Sequence, residues 1–118
     1  MNKPMAEIKR QHEHGAEVLS VIGEIDASSS IDLDQAILSC VQDGANKILV
    51  DMTQLSYISS AGLGVFMSYL EELKEKKIRM IIYGLNSRVA HTFNLLGLAD
   101  LLEIASSKED ANKMIHEA

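Results

Sequence analysis

The chain has 118 residues, 47% apolar and 24% charged, which suits one globular domain with its own core and argues against a disordered tract. Seventeen acids against eleven bases leave a net charge of −6, which speaks against binding nucleic acid or an anionic membrane surface, since both need clustered Lys and Arg. The single cysteine, Cys40, excludes an internal disulfide, and 4% aromatic residues with no Trp leave little for base stacking or a broad aromatic pocket.

The first eleven residues are too polar for a secretory leader, and no apolar run approaches the ~20 residues needed to cross a bilayer. A soluble, cytoplasmic, single domain is expected over 1–118, with its core at about 6–116 and Pro4 in a frayed start.

Residues 6–12 and 17–22 read as two strands, with His14-Gly15 at the turn between them. Over 31–41 the apolar positions Leu33, Ala36, Ile37, Cys40 and Val41 follow helical spacing. Ser28, Ser29 and Ser30 precede that helix and offer capping hydroxyls, and Gly44 ends it. The apolar run at 47–52 predicts a buried central strand. A loop follows, then a second helix whose inward stripe is Leu63, Phe66, Met67, Leu70 and Leu73. Residues 79–83 are another buried strand, stopped by Gly84. Ser87 is expected to cap a third helix with Val89, Ala90, Phe93 and Leu96 inward, closed by Gly97. A short strand at 101–104 and a last helix complete the chain, the helix capped by Ser106 or Ser107 with Ala111, Met114 and Ile115 inward.

The order ββαβαβαβα predicts an α/β domain with a central mixed sheet and helices mainly on one face. The strands should be parallel except for the opening hairpin. Loops beyond the carboxyl ends of the strands are then the expected place for function.

The most informative stretch is 51–64, DMTQLSYISSAGLG, where Ser59-Ser60-Ala61-Gly62 opens a helix after a buried strand. Two hydroxyls at a helix start serve as caps for the orphan N–H groups of the first turn. The same placement suits a phosphate acceptor, because a phosphoserine there meets free N–H groups and the positive end of the helix dipole. Gly62 and Gly64 each lower helix propensity by ~1 kcal/mol relative to Ala, which points to a need for close backbone approach.

Residues 55–66, LSYISSAGLGVF, resemble the signature of bacterial anti-sigma-factor antagonists of the STAS domain family. Three further segments are similar to that family: Gly23-Glu24-Ile25-Asp26 as the turn before the first helix, 47–55 as the strand and Leu lead-in, and Asn94-Leu95-Leu96-Gly97-Leu98 as the late helix end. The resemblance spans about 6–116 and implies a STAS-like fold and a non-catalytic phospho-switch. It maps the phosphorylated serine onto Ser60, two residues before Gly62-Leu63, with Ser59 as the alternative. Ser59 also stands where the family often has Asp, which removes a negative charge beside the acceptor. The implied partners are a serine kinase that is also the anti-sigma factor, and a PP2C-type phosphatase. The unphosphorylated form would bind the anti-sigma factor and release the sigma factor. The implied contact residues are Asp26, Ser59, Ser60, Ala61, Gly62, Leu63 and Gly64. A small-ligand or nucleotide-binding STAS module in another pathway is the alternative.

Other chemistry finds less support. Asp51 ends a strand, as the phospho-aspartate of a response-regulator receiver does, but such a receiver needs an acidic pair after its first strand. Glu24 and Asp26 follow the second strand instead, so Asp51 is expected to bond loop N–H groups. His12-Glu13-His14 lacks a third metal ligand and reads as exposed turn, and His91 reads as surface. Ser60 lacks the Gly-x-Ser-x-Gly elbow of a hydrolase, since Ile58 and Gly62 flank it. Cys40 is expected as a small buried hydrophobe, and Glu72–Lys76 as a favourable helical pair. No catalytic residue, cofactor or metal is expected.

Overall fold

The computed structural model describes residues 6–117, so Pro4 lies outside the described residues. In chain order the elements are β1 (Ala6–Glu13), β2 (Ala16–Ile25), α1 (Ser30–Gln42), β3 (Lys47–Asp51), β4 (Leu55–Ile58), α2 (Ser60–Glu75), β5 (Arg79–Tyr83), α3 (Ser87–Leu95), a 3-10 turn (Leu98–Asp100), β6 (Glu103–Ala105) and α4 (Lys108–Ile115). The sheet runs β1-β2-β3-β5-β6, with β4 also pairing β2.

β1 and β2 form the antiparallel hairpin, closed where Glu13 pairs Ala16. His14 and Gly15 both take positive φ, 50° and 82°, the two-residue turn whose twist matches that of the strands it joins. Every other strand pair is parallel. Alternation along the central strands sorts the core into two layers. Leu19, Val21, Ile48, Val50, Met80 and Ile82 face α1, α2 and α3. Val18, Leu49, Ile81 and Tyr83 face the other way, against Ala111 and Ile115 of α4. The mixed sheet with helices mainly on one face is therefore observed, with α4 alone behind it. Arg79 ties α4 to that rear edge. It forms a two-pronged ion pair with Glu103 at 3.0 and 2.8 Å and donates to the carbonyl oxygens of Met114 and Glu117.

Several sequence expectations are corrected. The expected loop after β3 contains a strand, β4, that joins the parallel ladder of β2. β2 runs three residues further than expected, taking Gly23, Glu24 and Ile25 into the sheet through an irregularity between Gly23 and Glu24. The last strand sits at 103–105, because Leu98–Asp100 turn first. Leu96 is exposed rather than inward, since α3 ends at Leu95 and Gly97 reverses the chain with φ 71°. The cap of α3 is Asn86, not Ser87, and its Oδ1 accepts from the Val89 amide at 2.8 Å. Ser107 caps α4 as expected, accepting from the Asp110 amide at 3.1 Å.

Candidate functional site

The ladder between β2 and β4 brings the two signature segments together. Ile25 pairs with Ile58, and the Ser59 amide donates to the Ile25 carbonyl oxygen at 2.8 Å. Asp26 and Ser59 are thus the next residues beyond two strand ends held in register. The chain enters α2 at that point. Ser59 is extended (φ −81°, ψ 169°) and its hydroxyl oxygen accepts from the Gly62 amide at 3.2 Å. This is the capping role, and it engages Ser59 while leaving it only half-buried. Ser60 occupies the first helical position and is exposed. No acidic residue lies in the first turn of α2, so the positive end of the helix dipole at Ser60 has no side-chain counter-charge there.

The two glycines after it have different reasons. A Cβ on Gly62 would meet Ile25 Cγ2 and Ile58 Cγ1, each at 2.7 Å, so the first turn of α2 lies directly on the two paired strand ends. A Cβ on Gly64 would meet nothing within 4 Å. Close packing therefore explains Gly62 and does not explain Gly64.

Asp26 organises the loop facing Ser59. Its Oδ1 accepts from the Ser29 amide at 2.9 Å, the Ser28 hydroxyl at 2.8 Å and the Ser29 hydroxyl at 3.0 Å. The Ser29 hydroxyl oxygen in turn accepts from the Asp26 amide at 2.8 Å. Led by the Ser29 amide, these donors hold the Asp26 carboxyl down to about 2. Ser29 occupies the cap position of α1 but spends its hydroxyl on Asp26 rather than on the helix. These three bonds fall on Oδ1.

The remaining sequence candidates lie elsewhere. Asp51 Oδ1 accepts from the Thr53 amide at 2.9 Å and the Thr53 hydroxyl at 2.7 Å, the loop-bonding role expected of it. His12 contacts the Glu17 carboxylate, while His14 and His91 are exposed. Cys40 is fully buried, and Lys76 pairs with Glu72 at 2.7 Å. Among the described residues no group of three His, Cys, Asp or Glu side chains is arranged to hold a metal, and no helix is long and apolar enough to cross a membrane.

Met67 is a correction: it is 45% exposed, not part of the core stripe. With Ser60, Leu63, Gly64, Leu96 and Leu98 it lines an open groove of about 220 Å³ beside the start of α2. Helical spacing had placed Met67 and Leu96 inward, so this groove was missed. The available signal was Leu95-Leu96 immediately before Gly97, two large apolar residues where a short helix must end.

A family model described as "STAS domain" matches residues 7–111. A relative from Listeria monocytogenes, named "Anti-sigma-B factor antagonist", is 32% identical over 93 residues, covering 78% of this chain and 81% of its own. An anti-sigma factor antagonist from Mycobacterium paratuberculosis superposes with a TM-score of 0.89 at 23% identity, over 99% of this chain and 100% of that one. The Bacillus cell fate determinant SpoIIAA, solved in its phosphorylated form, superposes with a TM-score of 0.69 at 20% identity, over 92% of this chain and 99% of that one.

Proposed function

We propose that this chain, which belongs to the STAS domain family, works as an anti-sigma-factor antagonist switched by phosphorylation of Ser60. Its unphosphorylated form binds a kinase-fold anti-sigma factor through Asp26 and the segment Ser59, Ser60, Ala61, Gly62, Leu63 and Gly64, and so releases the sigma factor. The carrying observation is the division of labour between the two serines. Ser59 is engaged as the cap of α2, and Ser60 is exposed one residue later, across from the Asp26 loop. The names of the sequence relatives and the phosphorylated form of SpoIIAA support the same reading.

The chemistry follows from the position. The kinase transfers the γ-phosphoryl group of ATP to Ser60 Oγ, the hydroxyl proton leaves, and ADP departs. The product adds about −1.5 to −2 charge to a chain already at −6. The helix N-terminus favours that anion by about 0.3–1 kcal/mol when exposed, so the fold accepts it. The partner does not, because docking would strip water from a doubly charged group at the interface. A PP2C-type phosphatase then restores the hydroxyl. Asp26 offers its carboxylate to a basic group of the partner.

Incubation with the cognate anti-sigma kinase and ATP, followed by peptide mapping, tests the acceptor. Label is expected on Ser60 and lost in Ser60→Ala. Label confined to Ser59 overturns the assignment.

A further inference from the structure

Ser60 forms one wall of the open groove between α2 and the turn after α3. No charged side chain lines it. Met67 is 45% exposed and Leu96 is 55% exposed, so folding leaves two large apolar groups of the lining in water around one opening. Apolar exposure gathered in this way marks a contact surface, unlike single scattered residues. Gly64 adds an independent observation. It lowers the propensity of α2, yet a side chain there would meet nothing inside the molecule. Gly64 is itself part of the groove lining, and a side chain there would project into open space.

Resting on the antagonist reading of Ser60, we propose that this groove receives one large apolar side chain, a Leu, Met or Phe, presented by the same anti-sigma factor that docks at Ser60. Any protein surface that closes over the Ser60 hydroxyl also closes over the groove, because Ser60 belongs to both. An apolar lining selects an apolar anchor, and a single anchor seated in a pocket commonly carries much of an interface's affinity. The groove also explains how a phosphate at its wall expels the partner. Seating the anchor would bury an apolar group against a hydrated dianion and strip its water. The loss therefore depends weakly on salt, whereas repulsion between exposed charges would be screened by it.

Titration calorimetry with the purified cognate anti-sigma factor tests this, using unphosphorylated wild type, Leu96→Ser, Met67→Ser and Gly64→Leu. Each variant is expected to weaken binding at least about tenfold. The two serine variants should melt with the wild type, because they alter exposed side chains, and Gly64→Leu should melt at or above it. Wild-type affinity in all three, with Ser60→Asp still impaired, overturns the groove and leaves the Ser60 switch standing. Impaired groove variants with an unimpaired Ser60→Asp overturn the coupling between groove and phosphate. Sedimentation of the chain alone gives the remaining outcome: a dimer dispersed by Leu96→Ser makes the groove a contact between copies and overturns the proposal.

Discussion

The Ser59 amide donates to the Ile25 carbonyl oxygen at 2.8 Å, one step beyond the Ile25–Ile58 pair that ends the β2–β4 ladder. Two loops that are 33 residues apart in sequence, counted from Asp26 to Ser59, are thereby held side by side. One is tied internally by the Asp26 carboxylate and the other by the Ser59 cap. Ser60 follows the Ser59 cap directly, as the exposed first residue of α2.

The capping assignment separates the two serines by stability. Ser59→Ala should cost about 1 kcal/mol, the usual value of a lost N-cap. Ser60→Ala should leave stability within about 0.5 kcal/mol of wild type, as for other exposed positions. Urea denaturation of both variants checks this, and equal losses would show that Ser60 shares the capping.

The glycines of α2 should respond with opposite signs. Gly62→Ala forces a methyl group against Ile25 and Ile58, an overpacking cost of about 1–3 kcal/mol that exceeds the ~1 kcal/mol gained in helix propensity over most of that range. Gly64→Ala meets no such contact and should stabilise by up to about 1 kcal/mol. Thermal melts of the pair give the comparison, at about 4–8 °C per kcal/mol for a domain near this size.

Charge at Ser60 should spare the fold and remove the partner. Ser60→Asp is expected to melt within a few degrees of wild type, about the shift of a sub-kcal/mol dipole effect. Its affinity for the anti-sigma factor should fall at least tenfold, about 1.4 kcal/mol. Ser60→Ala, which removes the hydroxyl without adding charge, should bind almost normally. A melting temperature lowered by more than about ten degrees in Ser60→Asp would instead make the position structural.

Acid should loosen the Asp26 loop first at its carboxylate. The folded group is held down to about 2, below the ordinary carboxylate value, so its contribution to stability is present above that ordinary value. The contribution is lost as pH falls from about 4 towards 2, when protonation removes the charge that Ser28 and Ser29 stabilise. Chemical shifts of the Ser29 amide followed through an acid titration should report a midpoint near that value. Asp26→Asn should abolish this transition and weaken anti-sigma factor binding at neutral pH. A midpoint at the ordinary aspartate value would show that the hydroxyl cluster does not hold in solution.

Much of this was legible in the residues alone. Helical spacing marked Leu33, Ile37 and Cys40 in α1, and Leu63, Phe66 and Leu73 in α2, because a helix buried on one face repeats its apolar side chains every three to four residues. The unbroken apolar runs of β3 and β5 marked strands covered on both faces. Ser59 and Ser60 before Gly62 were readable as a helix start, since capping is a local matter. What lay beyond local reading was everything set by a distant partner. In β4, Leu55 and Ile58 are buried and Ser56 and Tyr57 exposed, a pattern without strand alternation, and only the neighbouring edge of β2 makes it a strand. Ser29 looked like a cap until Asp26 claimed its hydroxyl. Met67 and Leu96 fit inward stripes by spacing, but the stripe of a helix ends where its neighbours stop covering it. That boundary belongs to the packing of α2 against α3 and the turn beyond it, and no single segment encodes it.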